Sequence, residues 1–494
     1  MQRILPLTQE HALLDVASTR ALEQRLAATL PPHALMARAG EAVAHLALAV
    51  APHAQRIWVA AGPGNNGGDG LEAACHLQRW GKAVSVSLIG DPATLPADAR
   101  EALARAQAAG VQIGADSAPM PDLALDALLG IGASRSPQGE LETAIRRLNA
   151  LACPVLAIDL PSGLDADTGR TLGDACVVAT HTLTMLALKP GLFTAAGRDH
   201  AGAVWLDPLG CDDSAAAAPP AWLSGVTPTR PRRHAQHKGS FGDVAIVGGA
   251  HGMSGAALLA ARAAHAAGAG RVFVEGLDDA VAALDPQRPE LMFRRGWTAQ
   301  VTAATLTATT AVAGCGGGDA VRTPLPRLLS LAGRLVLDAD ALNTLARDAT
   351  LMALLQARAG RGLPTVLTPH PLEAARLLEC TTAEIQADRL HAARELSSRC
   401  RCVVVLKGSG SVIAAPDQVA RINSTGNAAL ASAGTGDVLA GWLGGRWAQL
   451  DSGDAAATAF HCAVQAVAEH GAAAEPPPSG ALLASELIEQ LHRH

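Results

Sequence analysis

RIWVAAGPGNNGGDGLEAACHLQRW (56–80) decides the fold class of the first half of this chain. RIWVAAG (56–62) is an apolar run typical of a buried strand, and LEAACHLQRW (71–80) has the spacing of a helix. Glycines fill the loop between them, where they would allow positive φ angles and a close approach of a ligand to the backbone. A strand, a glycine-rich loop and a helix in this order predict one unit of a parallel α/β sheet.

The alternation of strands and helices continues along the first half. Further strands are predicted at 83–90, 123–130, 154–160 and 181–188, and helices at 97–110 and 140–152. Residues 8–50 are predicted to be helical, with a break at Pro31 and Pro32. This rhythm indicates an α/β fold with a Rossmann-like, three-layer, doubly wound sheet.

A break in the pattern at 211–235, rich in alanine, proline and polar residues, predicts a linker between two domains. We place the first domain at 1–215, the linker at 216–229 and the second domain at 230–494. A new α/β series fills the second domain, with strands, loops and helices predicted at 243–249, 255–270, 271–276, 310–318, 334–343, 363–370, 402–415, 437–450, 455–470 and 480–492. The two domains share this architecture but no visible sequence similarity.

Composition excludes several classes of partner. The formal charge is −6 with acids and bases spread along the chain, so no basic stripe indicates a nucleic-acid surface. The nine cysteines are scattered and odd in number, which argues against a disulfide framework and favours a reducing, cytoplasmic location. The first residues do not resemble a signal peptide, and no apolar run is long enough to cross a membrane, so no membrane association is expected.

Polar side chains follow three strands of the first domain. They are Asn65, Asn66 and Asp69 in the glycine-rich loop, Asp126 near the end of its strand, and Asp159 with Ser162 after the next strand. Ligands of open α/β sheets bind outside the carboxyl ends of the strands, so these groups are expected to converge on one site. In the alternative interpretation, the loop is an ordinary tight turn, and Asp126 and Asp159 cap helices or bind loop amides.

Four motifs give this half a more specific resemblance. GPGNNGGDG, DALLGIG, IDLPSGLDADTG and LALKPGL occur in the order found in the NAD(P)H-hydrate epimerase family, which the chain resembles over roughly residues 15–210. The resemblance implies a substrate site at Asn65, Asn66, Gly67, Gly68, Asp69, Gly130, Ile131, Gly132, Ala133, Ser134, Arg135, Ser136 and Asp159. It also implies a potassium ion held by Asn66, Asp126 and Ser162, whose oxygen donors suit an alkali cation. Asp159 is the candidate acid–base group, and Arg38 departs from the family pattern.

The strongest motif of the second domain is NSTGNAALASAGTGDVLAG (423–441). Its GTGD segment opens a helix, so the amides of Gly434 to Gly436 can hold a phosphate and Asp437 can accept a proton from a substrate hydroxyl. Alternatively, Asp437 only stabilises the helix dipole, by about 0.3–1 kcal/mol. Lys407 follows an apolar strand, as in a nucleotide site, and His370 is a candidate ligand contact or a structural turn residue.

The second domain resembles the ADP- or ATP-dependent NAD(P)H-hydrate dehydratases, which have a ribokinase-like fold. HKGSFGDVAIVGG, GMSGAALLAARAA, LDADALN, TPHPLEAARLL, VLKG and NxTGNxxLxxxGTGD occur in family order over about residues 230–494. The resemblance implies a nucleotide site at Lys407, Gly408, Ser409, Gly410, Ser411 and Gly436, a hydrate site at Ala256, Gly316, His370 and Asp437, and Asp437 as the catalytic base. The family usually has Gly-Pro-Gly where this chain has Gly314-Cys315-Gly316.

Together the two resemblances imply a bifunctional enzyme that repairs hydrated NADH and NADPH. The first domain would epimerise the R and S hydrates, and the second would dehydrate the S form with ADP or ATP and Mg²⁺. A homo-oligomer is expected. Two alternatives stay open at this point: a kinase for a vitamin precursor, since GTGD loops also occur in small-molecule kinases, and a non-catalytic scaffold built on the epimerase fold.

Overall fold

The computed structural model describes residues 1–7, 9–114, 120–211, 219–227, 234–278, 284–450, 455–475, 480 and 482–493. The chain forms two compact units, Met1–Trp222 and Leu223–His494. The boundary between them falls inside the segment predicted as a linker, although a short strand, Ala221–Ser224, also lies there. Of the elements and the linker break predicted from sequence, residues 8, 212–218, 228–233 and 481 lie outside the described residues.

The N-terminal unit is an α/β sandwich around one sheet. Its elements are β1 (Gln2–Arg3), β2 (His11–Leu13), α1 (Val16–Ala27), α2 (Ala34–Val50), β3 (Arg56–Ala61), α3 (Asn65–Arg79), β4 (Ala83–Leu88), α4 (Ala97–Ala108), β5 (Gln112–Ile113), β6 (Leu123–Ala127), α5 (Glu140–Asn149), β7 (Val155–Ile158), β8 (His181–Met185), α6 (Gly197–His200) and β9 (Ala203–Asp207). The strand order is β1-β9-β8-β7-β6-β3-β4-β5. All pairs are parallel except β1 with β9.

The order of the strands reverses between β3 and β6, which creates a crevice at their carboxyl ends. Helices α2, α3 and α4 bury an apolar cluster against one face of the sheet, and α5 buries a second cluster against the other face. The sheet is therefore covered on both sides, as its near-continuous apolar strands require.

Three sequence-based expectations about this unit are wrong. Residues 65–70 are the first turns of α3 rather than a loop, and His11–Leu13 is a strand within the stretch predicted as helical. None of the glycines from Gly62 to Gly70 has a positive φ. They are needed for close packing instead, since a Cβ on Gly67 would lie 2.0 Å from the carbonyl oxygen of Gly62.

The C-terminal unit is a second α/β sandwich. After β10 (Ala221–Ser224), its elements are β11 (Asp243–Gly248), α7 (Ser254–Ala266), β12 (Arg271–Gly276), β13 (Met292–Phe293), α8 (Trp297–Gln300), α9 (Ala303–Ala308), β14 (Thr310–Ala313), α10 (Leu325–Leu331), β15 (Arg334–Leu337), α11 (Ala339–Arg347), α12 (Ala349–Gly360), β16 (Thr365–Leu367), α13 (Pro371–Leu378), α14 (Thr382–Ala387), α15 (Arg389–Cys400), β17 (Val403–Leu406), β18 (Val412–Ala415), β19 (Gln418–Asn423), α16 (Thr435–Ala448), α17 (Ala455–Ala472) and α18 (Ala484–Arg493).

Its sheet runs β13-β12-β11-β14-β15-β16-β17-β18-β19-β10. The strands from β13 to β17 are parallel, and β18 pairs antiparallel with both β17 and β19. Helices α7 and α16 approach closely because glycine faces backbone: a Cβ on Gly441 would lie 2.0 Å from the carbonyl oxygen of Ala260. This contact fixes where α16 begins, and with it the position of Asp437.

Two α/β units with central sheets confirm the fold class predicted from the sequence. Within the described residues, no helix is long and apolar enough to span a bilayer.

Candidate active sites of the two units

The N-terminal unit has a cavity of about 600 Å³ at the reversal point between β3 and β6. Its wall contains Gly64 and eight of the predicted substrate residues: Asn65, Asn66, Asp69, Gly130, Ile131, Gly132, Ala133 and Asp159. It also contains Arg20, Glu23, His33, Asp98 and Lys189, which the sequence reasoning did not select. The cavity wall therefore contains both acidic and basic side chains.

Some residues of the predicted site are not on this wall. Gly67 and Gly68 are buried beneath it, where they allow α3 to pack closely on its neighbours. Ser134, Arg135 and Ser136 follow the lining segment 130–133 but do not line the cavity themselves. Ser136 packs instead against Gly173, where a Cβ would lie 2.1 Å from the serine hydroxyl.

Asp126 and Ser162 are in direct contact behind the cavity. The Ser162 hydroxyl donates to Oδ1 of Asp126 over 2.6 Å, and its backbone amide donates to Oδ2 over 2.8 Å. The carboxyl is fully buried, and this burial raises its pKa to about 6 although the bonds from Ser162 and Leu128 oppose the rise. Asp126 is therefore a buried anion at neutral pH without a cationic side chain bonded to it among the described residues.

Asn66 lies beside Gly130 at the edge of this contact, since a Cβ on Gly130 would be 3.3 Å from the Asn66 amide oxygen. The buried amide nitrogen of Asn66 has no hydrogen-bond partner. Rotating the amide by half a turn would place an oxygen there, and such assignments are decided by the surroundings. An unpaired amide position near a buried carboxylate and a hydroxyl fits a potassium ion held by Asn66, Asp126 and Ser162.

Asp159 and Lys189 form the central ion pair of the cavity. The Lys189 ammonium lies 2.5 Å from Oδ1 of Asp159 and also donates to Thr184 Oγ1 and to the carbonyl oxygen of Met185. Asp159 has a φ of +67°, an uncommon conformation for a residue with a side chain. Sequence reasoning did not select Lys189. Its position in the apolar motif LALKPGL could have indicated a role, because a buried lysine requires a charged partner.

Two other acids of the cavity, Asp69 and Glu23, have raised pKa values. Enclosure by protein and the nearby charges of Asp159 and Glu23 raise the pKa of Asp69 well above its usual range. Burial and Asp159 likewise raise the pKa of Glu23, against the opposing charges of Lys189 and Arg20. The cavity thus places the ion pair of Lys189 and Asp159 close to two carboxyl groups whose pKa values are raised, which is the arrangement needed for acid–base work.

The C-terminal unit brings Asp437, Lys407, Asp338 and Cys315 together at the carboxyl edge of its sheet. Asp437 lies in the first turn of α16, whose N-cap Gly434 has a φ of +90°. The Lys407 ammonium is 2.6 Å from Oδ1 of Asp338, and a Cβ on Gly436 would lie 3.3 Å from that ammonium. The helix N-terminus and the lysine therefore present positive charge at one point, as a phosphate site requires.

Asp437 and Lys407 both have shifted pKa values. Burial, followed by the charge of Asp338, raises the pKa of Asp437 to about 6, while Cys315 and Lys407 oppose the rise. Burial would lower the pKa of Lys407, but Asp338 and Glu373 outweigh it and the net shift is upward. Asp437 is thus largely a carboxylate at neutral pH, and Lys407 stays charged.

The remaining nucleotide residues form a turn after β17. The Ser411 hydroxyl bonds to the backbone of Gly408, and Ser409 and Gly410 lie between them. Gly408 has a φ of +139°, and a Cβ there would lie 2.9 Å from the buried guanidinium of Arg389. Arg389 donates to the carbonyl oxygens of Leu406 and Lys407, so it fixes the backbone of this turn. Sequence reasoning missed this arginine because α15 carries no motif that points to the turn.

The predicted hydrate residues other than Asp437 have different surroundings. Ala256 and Gly316 are neighbours, since a Cβ on Gly316 would lie 2.9 Å from that of Ala256. His370 caps α13: its Nδ1 accepts from the amides of Leu372 and Glu373, and Glu373 returns a bond to the His370 amide. His370 therefore stabilises the start of α13 through a capping box, and 46% of its side chain stays exposed.

The fold and the two sites define an α/β protein with two separate clusters of buried charged groups, one of them at the N-terminus of a helix. Two family models match the chain: one described as YjeF-related protein N-terminus over residues 32–191 and one described as NAD(P)H-hydrate dehydratase over residues 244–493. The chain belongs to the family of bifunctional NAD(P)H-hydrate repair enzymes, because it is 38% identical to the Escherichia coli enzyme of that name over 93% of this chain and 88% of that protein.

Other relatives agree with this assignment. The bifunctional NAD(P)H-hydrate repair enzyme of Leishmania braziliensis is 38% identical over 89% of this chain and 84% of that protein. Among solved structures, the ADP/ATP-dependent NAD(P)H-hydrate dehydratase of Bacillus subtilis, co-crystallised with ATP and Mg²⁺, is 32% identical, with a TM-score of 0.44. It covers 53% of this chain and 92% of its own length.

Proposed function

We propose that this protein repairs hydrated NADH and NADPH. The N-terminal unit interconverts the R and S hydrates, and the C-terminal unit dehydrates the S form at the expense of ADP or ATP. The observation that carries the proposal is the placement of Asp437 and the Lys407 ammonium together at the N-terminus of α16. The membership of the chain in this family supports it. The similarity to relatives named bifunctional repair enzymes argues against a vitamin-precursor kinase and against a non-catalytic scaffold.

Dehydration begins with phosphoryl transfer, because hydroxide is a poor leaving group. Asp437 accepts the proton of the substrate hydroxyl while the hydroxyl oxygen attacks the terminal phosphorus of the nucleotide. Lys407 and the amides from Gly434 to Gly436 stabilise the charge on the transferred group. The phosphate then leaves with its bonding electrons, the adjacent ring carbon loses a proton, and the nicotinamide double bond is restored. The net products from ADP are NAD(P)H, AMP and phosphate.

Substrate contacts in this unit follow from the same geometry. Ala256 and Gly316 leave space without side-chain bulk, and His370 stands at the start of α13 with an exposed ring edge. The turn from Lys407 to Ser411 and Gly436 would hold the nucleotide. Magnesium supplies charge neutralisation on the nucleotide phosphates, which are its principal ligands.

Epimerisation is assigned to the N-terminal cavity. Asp159 is the acid–base group, and Lys189 orients it through their ion pair. Asn65, Asn66, Asp69 and the segment from Gly130 to Ser136 would hold the substrate, with Gly67 and Gly68 acting through close packing of α3. Potassium, held by Asn66, Asp126 and Ser162, would supply positive charge beside the hydrate.

Two wider properties remain part of the proposal. A cytoplasmic location suits the nine cysteines, all of which are free thiols. A homo-oligomer is also proposed, and sedimentation or light scattering would test it.

The decisive experiment supplies purified protein with a mixture of R and S hydrates. We expect full recovery of reduced-nicotinamide absorbance with ADP or ATP and Mg²⁺, and none without nucleotide. A chromatographic assay of the epimers, without nucleotide, should show their interconversion. Parallel ADP and ATP reactions identify the phosphate donor. Failure to restore absorbance with either nucleotide would refute the proposed dehydratase function.

A further inference from the structure

Cys315 occupies a turn at the C-terminal active site that is held by two glycines. Gly314 has a φ of +118° and Gly316 a φ of +57°. A Cβ on Gly314 would lie 1.9 Å from the carbonyl oxygen of Asp338, and one on Gly316 would lie 2.7 Å from that of Met253. Only 1% of Cys315 is exposed, so the turn places its side chain inside the site rather than toward solvent.

The thiol of Cys315 faces two carboxylates: its sulfur and one carboxylate oxygen each of Asp338 and Asp437 lie within 4.8 Å of one another. Burial and the negative charges of Asp437 and Asp338 raise the pKa of the thiol well above its ordinary value. The thiol therefore keeps its proton at neutral pH and has it available to donate to the Asp437 carboxylate.

We propose that Cys315 is a positioning residue of the dehydratase, whose thiol donates a hydrogen bond that holds the Asp437 carboxylate ionised and aimed at the substrate hydroxyl. The inference rests on the proposed function, because it takes Asp437 as the base. Proline, which the resemblance to the dehydratase family implies at this position, has no side-chain donor. The bond is therefore a feature of this chain's Gly-Cys-Gly turn.

The other charged groups that face Asp437 explain why a donor matters there. Asp338 and Asp340, from the junction of β15 and α11, both disfavour its ionised form, whereas Lys407, after β17, favours it. Oδ1 of Asp338 already accepts from Lys407 over 2.6 Å and from Thr368 over 2.7 Å. Lys407 is thus bound to a competing carboxylate, and the thiol of Cys315 contributes its bond to Asp437 directly.

The test compares Cys315→Ala, Cys315→Ser and the full-length parent in nucleotide-dependent dehydration of the S hydrate, across a pH range centred on the Asp437 pKa of about 6. For Cys315→Ala we expect the apparent pKa of the acidic limb of the kcat profile to rise by roughly one unit. At a pH below that limb, kcat should therefore be about tenfold lower than in the parent. The nucleotide KM should not change. Cys315→Ser keeps a donor, so its limb should coincide with that of the parent or lie lower.

Cys462→Ala is the matched control, since this buried thiol lies in the same unit and faces Arg446 and Glu469 instead. An unmoved limb in Cys315→Ala, or a serine limb above that of the parent, would overturn the inference. If the alanine variant folds poorly, the position of the acidic limb in Cys315→Ser relative to the parent decides the test. A parent without nucleotide-dependent dehydration at any pH refutes the proposed function itself, whereas an active parent with an unmoved alanine limb refutes only the role of Cys315.

Discussion

The ammonium of Lys189 lies 2.5 Å from Oδ1 of Asp159, and only 1% of the lysine side chain and 12% of the aspartate side chain are exposed. Both charges are thus withdrawn from water at the wall of the epimerase cavity. Such a pair is balanced only while both partners are present. The same contact that orients Asp159, the proposed acid–base group, therefore also supports the fold of the N-terminal unit.

Lys189→Met should destabilise the N-terminal unit by about 3–5 kcal/mol, because it leaves Asp159 buried without a counter-charge. Epimerisation should be lost, and dehydration of the S hydrate should persist. Calorimetry and the two activity assays measure these effects. Lys82→Met, at a lysine in the turn before β4, is the control and should change neither.

The double variant Asp159→Asn, Lys189→Met should regain much of the stability while epimerisation stays absent, since it removes both charges together. A single Lys189→Met variant as stable and active as the parent would show that the ion pair contributes to neither property.

Asp126→Ala should weaken epimerisation and its response to potassium, while dehydration of the S hydrate stays unchanged. The reason is the buried set of Asn66, Asp126 and Ser162, which offers oxygen donors to a cation. Epimer interconversion is measured in potassium and in a matched concentration of a bulky organic cation. Equal rates of the parent in both salts would remove the ion from the epimerase.

The sequence predicted the elements that positioned these groups better than it predicted their contacts. Apolar runs such as 243–249 and 271–276 coincide with observed strands, because burial on both faces of a sheet leaves a strong pattern. The contact of Asp126 with Ser162 joins two neighbouring strand ends, as the rule for such ends predicts. Lys189 and Arg389 were missed because their roles depend on contacts between different elements of the fold. The glycines of α3 were misinterpreted because glycine serves both close packing and positive φ angles, and the sequence does not distinguish the two.

The two units should be separable when the chain is cut on the N-terminal side of β10. The amide of Ser424 donates to the carbonyl oxygen of Ser224 over 3.0 Å, and Leu223 is fully buried, so this strand belongs with the C-terminal fragment. We expect 1–218 to fold and epimerise and 219–494 to fold and dehydrate. A shorter fragment, 225–494, lacks the strand and should have a lower free energy of unfolding.

Circular dichroism, denaturant titration and the separate assays test these fragments. Insoluble products from every cut between 215 and 228 would show that the halves share one core.

Asp437→Asn should reduce dehydration by roughly 10² to 10⁴, the usual contribution of a positioned general base. Nucleotide affinity should hardly change, because Lys407 and the turn to Ser411 are untouched, and epimerisation should stay intact. In the parent, the rate should fall as the pH falls through about 6, because the protonated carboxyl cannot accept the substrate proton. The Asn variant should lack this acidic limb.

The same substitution should stabilise the C-terminal unit at neutral pH. Because burial raises the folded-state pKa of Asp437 from 3.8 to about 6, the folded state binds the proton more tightly than the unfolded state. Stability is therefore lost as the pH rises from about 4 to about 6, by at most about 3 kcal/mol. Asparagine stays neutral and avoids this loss, so its advantage in calorimetry should be present at pH 7 and shrink toward pH 4. If the Asn variant dehydrates at near the parent rate and gains no stability at pH 7, Asp437 is an exposed helix-end residue in solution and the base must be another group.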